Sequence, residues 1–148
     1  MREVTWFPNA TGSADQTVRQ VCVYLREWGV QLDPATRERV ATVVANLFCA
    51  AARSPHTRFS VGLRLVLNRR ELAVEALAGA VAFPRHRSAD RPLPEPLSAC
   101  TTSGGIEERA NGCRFWATVD LRRQRTHAGP VGRCLALRRR GKTRSGFA

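Results

Sequence analysis

The chain has 148 residues, 43% of them hydrophobic and 24% charged, a composition that suits one packed domain and excludes a wholly disordered protein. Its 24 lysines and arginines outnumber the 12 acidic residues, for a formal charge of +12. Nine basic residues and no acidic ones follow Leu121, so we expect a nearly neutral domain with a cationic tail. Without a bilayer-length apolar run or a secretion signal, the protein is expected to be cytoplasmic, with no membrane partner. The 5 scattered cysteines favour neither a disulfide framework nor a zinc site.

Two helices are predicted in the first half of the chain. Residues 14–28 carry apolar side chains at intervals of three and four, after a Ser/Gln capping box. The second helix begins at Asp33-Pro34, an N-cap acid followed by proline, and Ser54-Pro55 ends it. Beyond Val40 this helix is apolar nearly all round, so we expect it to be buried along most of its length.

The second half of the chain alternates with a period of two, which predicts strands. Residues 61–67 form one strand, and an antiparallel partner opens at Leu72 after a short turn. Residues 83–96 contain four prolines and predict a loop, which a short helix or turn at 97–102 follows. A final hairpin is predicted around Asn111-Gly112, the strongest short turn signal in the chain.

The last strand separates into two faces. One face is apolar and the other is mostly polar: the first holds Phe115, Ala117, Val119 and Leu121, the second Arg114, Trp116, Thr118 and Asp120. We therefore predict an α+β fold, a two-layer sandwich with helices packed on one face of a mixed or antiparallel sheet. Residues 1–12 are interpreted as an N-terminal extension, 13–121 as the domain and 122–148 as a basic, disordered tail.

This order of elements resembles the GHKL (histidine-kinase-like) ATPase domain. It is most similar to the small stand-alone anti-sigma-factor serine/threonine kinase-like proteins of actinomycetes, over residues 15–121 and best at 40–53, 61–80 and 105–121. The resemblance implies ATP and magnesium as cofactors. It also implies a protein partner, namely a sigma factor, an antagonist domain or an active paralogue, and it allows a homodimer.

In that family the long helix carries a Glu and, four residues later, an Asn, which position water and hold Mg²⁺. Alignment through Arg53 puts Asn46 at the Glu position and Ala50 at the Asn position. In a second register Asn46 is itself the metal-holding amide, and Thr42 replaces the acid. Neither register supplies a carboxylate, so Asn46 is equally well a polar helix-edge residue or a vestigial site position.

The family's other two nucleotide features also depart from the pattern. Ala78 occupies the position at which the family has an Asp that accepts a hydrogen bond from the adenine amino group. Gly79 permits the turn that follows. Glu75 is three residues early and is interpreted as a solvated strand residue. The segment that corresponds to the Gly-rich phosphate loop, 93–102, has no glycine and contains two prolines, which lack N–H donors.

These departures predict a degenerate GHKL-type regulatory protein, a pseudokinase that acts by protein–protein binding and has no catalytic residue, no metal ligand and no cofactor. Asn46, Ala50, Ala78 and Gly79 are its candidate, degenerate nucleotide-pocket positions. The alternative is an active ATP-binding anti-sigma-factor kinase that uses ATP and magnesium. A second alternative is non-specific nucleic-acid binding through the basic residues from Arg122 to Arg144. We favour the interpretation that this tail is a solubilising extension.

Overall fold

The computed structural model describes residues 1–79 and 89–122 of the chain. Within these residues two helices, a short 3-10 helix and five strands follow one another in this order: β1 (Arg2–Trp6), α1 (Ala14–Glu27), α2 (Pro34–Ala52), β2 (Gly62–Asn68), β3 (Glu71–Gly79), the 3-10 helix (Leu97–Cys100), β4 (Ser103–Arg109) and β5 (Gly112–Asp120). The strands form one antiparallel sheet in the order β1-β2-β3-β5-β4. α2 lies against β3 and β5, and α1 packs against α2, so the predicted α+β two-layer fold is confirmed.

Both helices begin where their capping residues predict. The Ser13 hydroxyl accepts hydrogen bonds from two backbone N–H groups in the first turn of α1. The Asp33 carboxylate accepts one from the Thr36 N–H, at 2.7 Å, at the start of α2. Gly29 follows α1 with φ +77°, the left-handed conformation that ends many helices. These local signals fix the two helices within about a residue of their predicted bounds.

The core lies between α2 and one face of the sheet. Val43, Val44 and Leu47 of α2 are no more than 1% exposed, which confirms that this helix is buried. They belong to the same apolar cluster as Val74 on β3 and Ala117 on β5. Burial of each large aliphatic side chain contributes about 1.5–3 kcal/mol, so α2 is held by packing rather than by helix propensity.

Residues 1–12, interpreted above as an extension, include a strand of the sheet. β1 pairs antiparallel with β2, from Arg2 opposite Leu67 to Trp6 opposite Leu63. Five residues with apolar side chains only at Val4 and Trp6 are too short a run for periodicity to reveal. The hydrogen bonds that define this strand come from β2, which lies more than 50 residues further along the chain.

Other predictions need smaller corrections. The turn between β4 and β5 consists of Ala110 and Asn111, one residue before the predicted position, because Arg109 pairs with Gly112. Cys100 is disulfide-bonded, against the expectation from the scattered cysteines; spacing along the chain does not show which thiols meet. Residues 80–88, which include the first part of the loop predicted at 83–96, and the tail beyond Arg122, with its predicted disorder and nucleic-acid role, lie outside the described residues. Neither α1 nor α2 has the length and hydropathy needed to cross a membrane.

Candidate functional site

Three segments meet at one corner of the molecule: the loop after α2, the end of β3 and the β4–β5 turn. Gly79, the last residue of β3, has φ +90°. A side chain there would place its Cβ 2.4 Å from the Asn111 carbonyl oxygen and 3.0 Å from the His56 Cβ. The close approach of these segments therefore requires glycine, both for the backbone conformation and for space.

Two adjoining cavities open at this corner. The smaller, of about 290 Å³, lies between the end of α2 and the β4–β5 hairpin, and Ala50, Arg53 and Cys113 contribute to its wall. The larger, of about 550 Å³, is lined by the loop after α2 together with Gly79 and Asn111. Pro55 and His56 line both cavities, so we treat them as one site and call it the corner cleft.

The four candidate pocket positions are not all in this cleft. Ala50 lines the smaller cavity and Gly79 the larger. Ala78 is fully buried, on the side of the sheet that faces the helices. Asn46 is exposed, and its side-chain N–H donates to the Thr42 carbonyl one turn earlier, at 2.7 Å. The amide of Asn46 is therefore engaged within its own helix, as in the interpretation as a helix-edge residue.

Glu75 corrects a prediction: it is only 3% exposed, not solvated. It lies on the face of the sheet opposite the helices, which we call the outer face, because its neighbours in β3 face the core. Arg114 approaches it to 3.3 Å and Arg64 to 3.5 Å. Arg114 also lies 3.0 Å from Glu107, and its side chain is fully buried. Glu75 thus belongs to a buried ion-pair network and not to the corner cleft.

The charged groups of the cleft are mostly arginines. Among the described residues that line it, Glu108 is the one acid, and it pairs with Arg91. Arg109 pairs with Asp90 at 3.2 Å and also with Glu107. Burial, followed by the nearby Glu108 charge, raises the pKa of the Cys113 thiol. Because a raised pKa favours the protonated thiol, Cys113 is not set up as a nucleophile.

At the positions that the family resemblance assigns to a magnesium-bound nucleotide, the described residues supply no carboxylate. Such a ligand needs carboxylate or amide oxygens for the metal and bare backbone N–H groups for the phosphates. At the positions that the family resemblance assigns, the chain offers the methyl group of Ala78, the methyl group of Ala50 and the self-engaged amide of Asn46. Across residues 1–79 and 89–122, no group of three or more His, Cys, Asp or Glu side chains could hold a metal ion.

A solved structure with a similar fold was found. It contains the RsbU and RsbW domains of Rv1364c from Mycobacterium tuberculosis, with a TM-score of 0.61 and 15% sequence identity. The likeness covers 88% of this chain and 36% of that chain. The fold is GHKL-like. The likeness shows the fold alone, because at this low sequence identity an activity cannot be inferred for one protein from the other. No protein-family model and no curated protein matches the sequence.

The residues on the outer rim of the cleft were missed by the sequence analysis. His56, Arg58 and Phe59 follow the proline that ends α2, in a loop with no periodicity and no motif. No local signal in the sequence identifies them. They line the same cavity as Gly79 at the end of β3, a placement that depends on tertiary structure and has no counterpart in local spacing.

Proposed function

We propose that this protein is a non-catalytic regulator with a GHKL-like fold, which acts by binding a protein partner in the manner of partner switching. The observation that carries the proposal is the fully buried methyl group of Ala78, where the family resemblance places the adenine-binding carboxylate. A methyl group accepts no hydrogen bond, so adenine recognition at this position is lost. The partner is a sigma factor, an antagonist domain or a paralogue, a homodimer is one possible assembly, and the cytoplasm is the compartment we expect.

The packing of the core supports a binding role, because it gives the surfaces of the fold a rigid base. Leu47, Phe48 and Ala51 fill the space between α2 and the sheet with exposures of at most 2%. A closely packed helix and sheet form a rigid platform, and rigid surfaces bind with a small entropic cost. The fold can therefore present well-ordered surfaces to another protein.

Isothermal titration of the full chain with Mg·ATP tests the proposal. We expect no saturable heat up to 1 mM nucleotide, and no rise in melting temperature, because a ligand that binds the native state must raise it. An active anti-sigma-factor kinase of known nucleotide affinity serves as the positive control for the titration. Binding of Mg·ATP in the micromolar range would contradict the proposal and favour the active ATP-binding kinase instead.

Purification of the tagged full chain from its native host, followed by identification of what co-elutes, addresses the partner. A sigma factor, an antagonist domain or a paralogue, recovered in a fixed molar ratio and absent from a tag-only control, is the expected result. Recovery of nucleic acid in place of protein would contradict protein binding and favour the basic tail as the functional part.

A further inference from the structure

The corner cleft carries an exposed aromatic ring. Phe59 is 84% exposed and lines the larger cavity. Single exposed apolar residues are common on protein surfaces and by themselves mean little. Phe59, however, follows Arg58 directly and lies at the mouth of a cavity of about 550 Å³. Aromatic and arginine side chains together are enriched where proteins bind each other.

Two arginines give the cleft its charge. Arg53 and Arg58 are exposed and line the smaller and the larger cavity respectively. Neither forms an ion pair in the part of the chain that the structure describes, and the Arg53 Nε donates to the Cys49 carbonyl at 3.3 Å. Glu108, by contrast, is already paired with Arg91. The cleft therefore offers two guanidinium groups whose positive charge nearby acids do not cancel.

From this combination we infer that the corner cleft binds an extended acidic segment of the partner protein. Carboxylates of the segment pair with Arg53 and Arg58, because a guanidinium group and a carboxylate form two parallel hydrogen bonds. An apolar side chain between those carboxylates packs on Phe59 and enters the larger cavity. The inference rests on the proposed function, and it specifies the surface used and the chemistry of the partner.

A nucleic acid is a poorer fit to the same surface. The binding of a nucleic-acid duplex depends on many phosphate contacts, and the two arginines of the cleft, Arg53 and Arg58, can supply only a few of them. Phe59 and the cavity beside it can bind an apolar side chain, and a phosphate backbone has none. The observations therefore favour a peptide segment in which acidic residues surround one apolar residue.

The probe is a fluorescein-labelled peptide of twelve residues, Glu and Asp throughout with one central Leu, titrated with the full chain and followed by fluorescence anisotropy. The test variant is Arg53→Glu/Arg58→Glu. The control variant is Arg69→Glu/Arg70→Glu, in the turn between β2 and β3 at the other end of β3. Both variants change the net charge equally, so any general attraction of the peptide to the cationic tail falls equally in both.

We expect the cleft variant to weaken binding at least tenfold and the control variant less than twofold. Phe59→Ala should weaken binding of the Leu peptide several-fold and leave a Leu-free acidic peptide unaffected. Equal weakening by the two double variants, or equal affinity of the wild type for both peptides, would overturn the inference and leave the proposed function intact. Displacement of the peptide by micromolar Mg·ATP would instead overturn the proposed function, and this inference with it.

Discussion

Arg114 provides the sharpest test of how the outer face of the sheet is stabilised. Its side chain is fully buried, and its guanidinium group reaches Glu75 at 3.3 Å and Glu107 at 3.0 Å. Substitution Arg114→Met removes this cation while both carboxylates stay buried. Loss of one partner from a buried pair costs about 3–5 kcal/mol, mostly because the remaining charge is desolvated without compensation.

The lower end of that range applies here, because each carboxylate keeps a second arginine. Arg64 lies 3.5 Å from Glu75, and Arg109 contacts Glu107. We therefore expect the free energy of unfolding to fall by about 3 kcal/mol. With a urea m-value of about 2 kcal/mol/M, the unfolding midpoint moves down by about 1.5 M.

Urea unfolding followed by tryptophan fluorescence measures this effect. Arg91→Met is the matched control: the side chains of Arg91 and of its partner Glu108 are both 57% exposed, so its removal should cost only about 1 kcal/mol. A cost below about 1 kcal/mol for Arg114→Met, or equal costs for the two variants, would refute the interpretation of a desolvated network on this face.

Two further predictions concern the corner cleft and the end of β5. Gly79→Ala should lower the free energy of unfolding more than Gly29→Ala does, as measured by urea unfolding. Both glycines have positive φ, so alanine costs about 1–2 kcal/mol at either position, but only at residue 79 does the new Cβ lie 2.4 Å from a backbone oxygen. Equal losses of stability in the two variants would refute the close approach at Gly79. Hydrogen bonds from Arg122 lower the pKa of Asp120, so its stabilising contribution is complete above its unfolded pKa of about 4 and disappears as the pH falls through the lower folded value. Asp120→Asn should thus cost up to about 1 kcal/mol at pH 7 and little at pH 2.5, and an equal cost at both pH values would count against this.

The amino-acid sequence by itself determined the parts of this protein that depend on neighbours along the chain. Helices α1 and α2 begin directly after Ser13 and Asp33, because the side chain of each N-cap residue accepts hydrogen bonds from N–H groups two or three residues away. The strands β2, β3 and β5 follow from alternation, and the helix-facing side of β5 was predicted residue by residue. Ala78 and the other candidate pocket positions were assigned through the family resemblance, which local spacing alone does not supply.

Only the tertiary structure decided what depends on residues distant in sequence. β1 exists as a strand because β2 supplies its hydrogen bonds, and five residues alone carry too weak a pattern. Glu75 is buried because β5 lies beside β3 and brings Arg114 to it, whereas local pattern can tell only which face it occupies. The corner cleft likewise arises where Asn111 meets Gly79, two residues that are far apart along the chain. These contacts join residues that are distant in sequence, so the free energy of packing that selects them cannot be inferred from a short stretch of sequence.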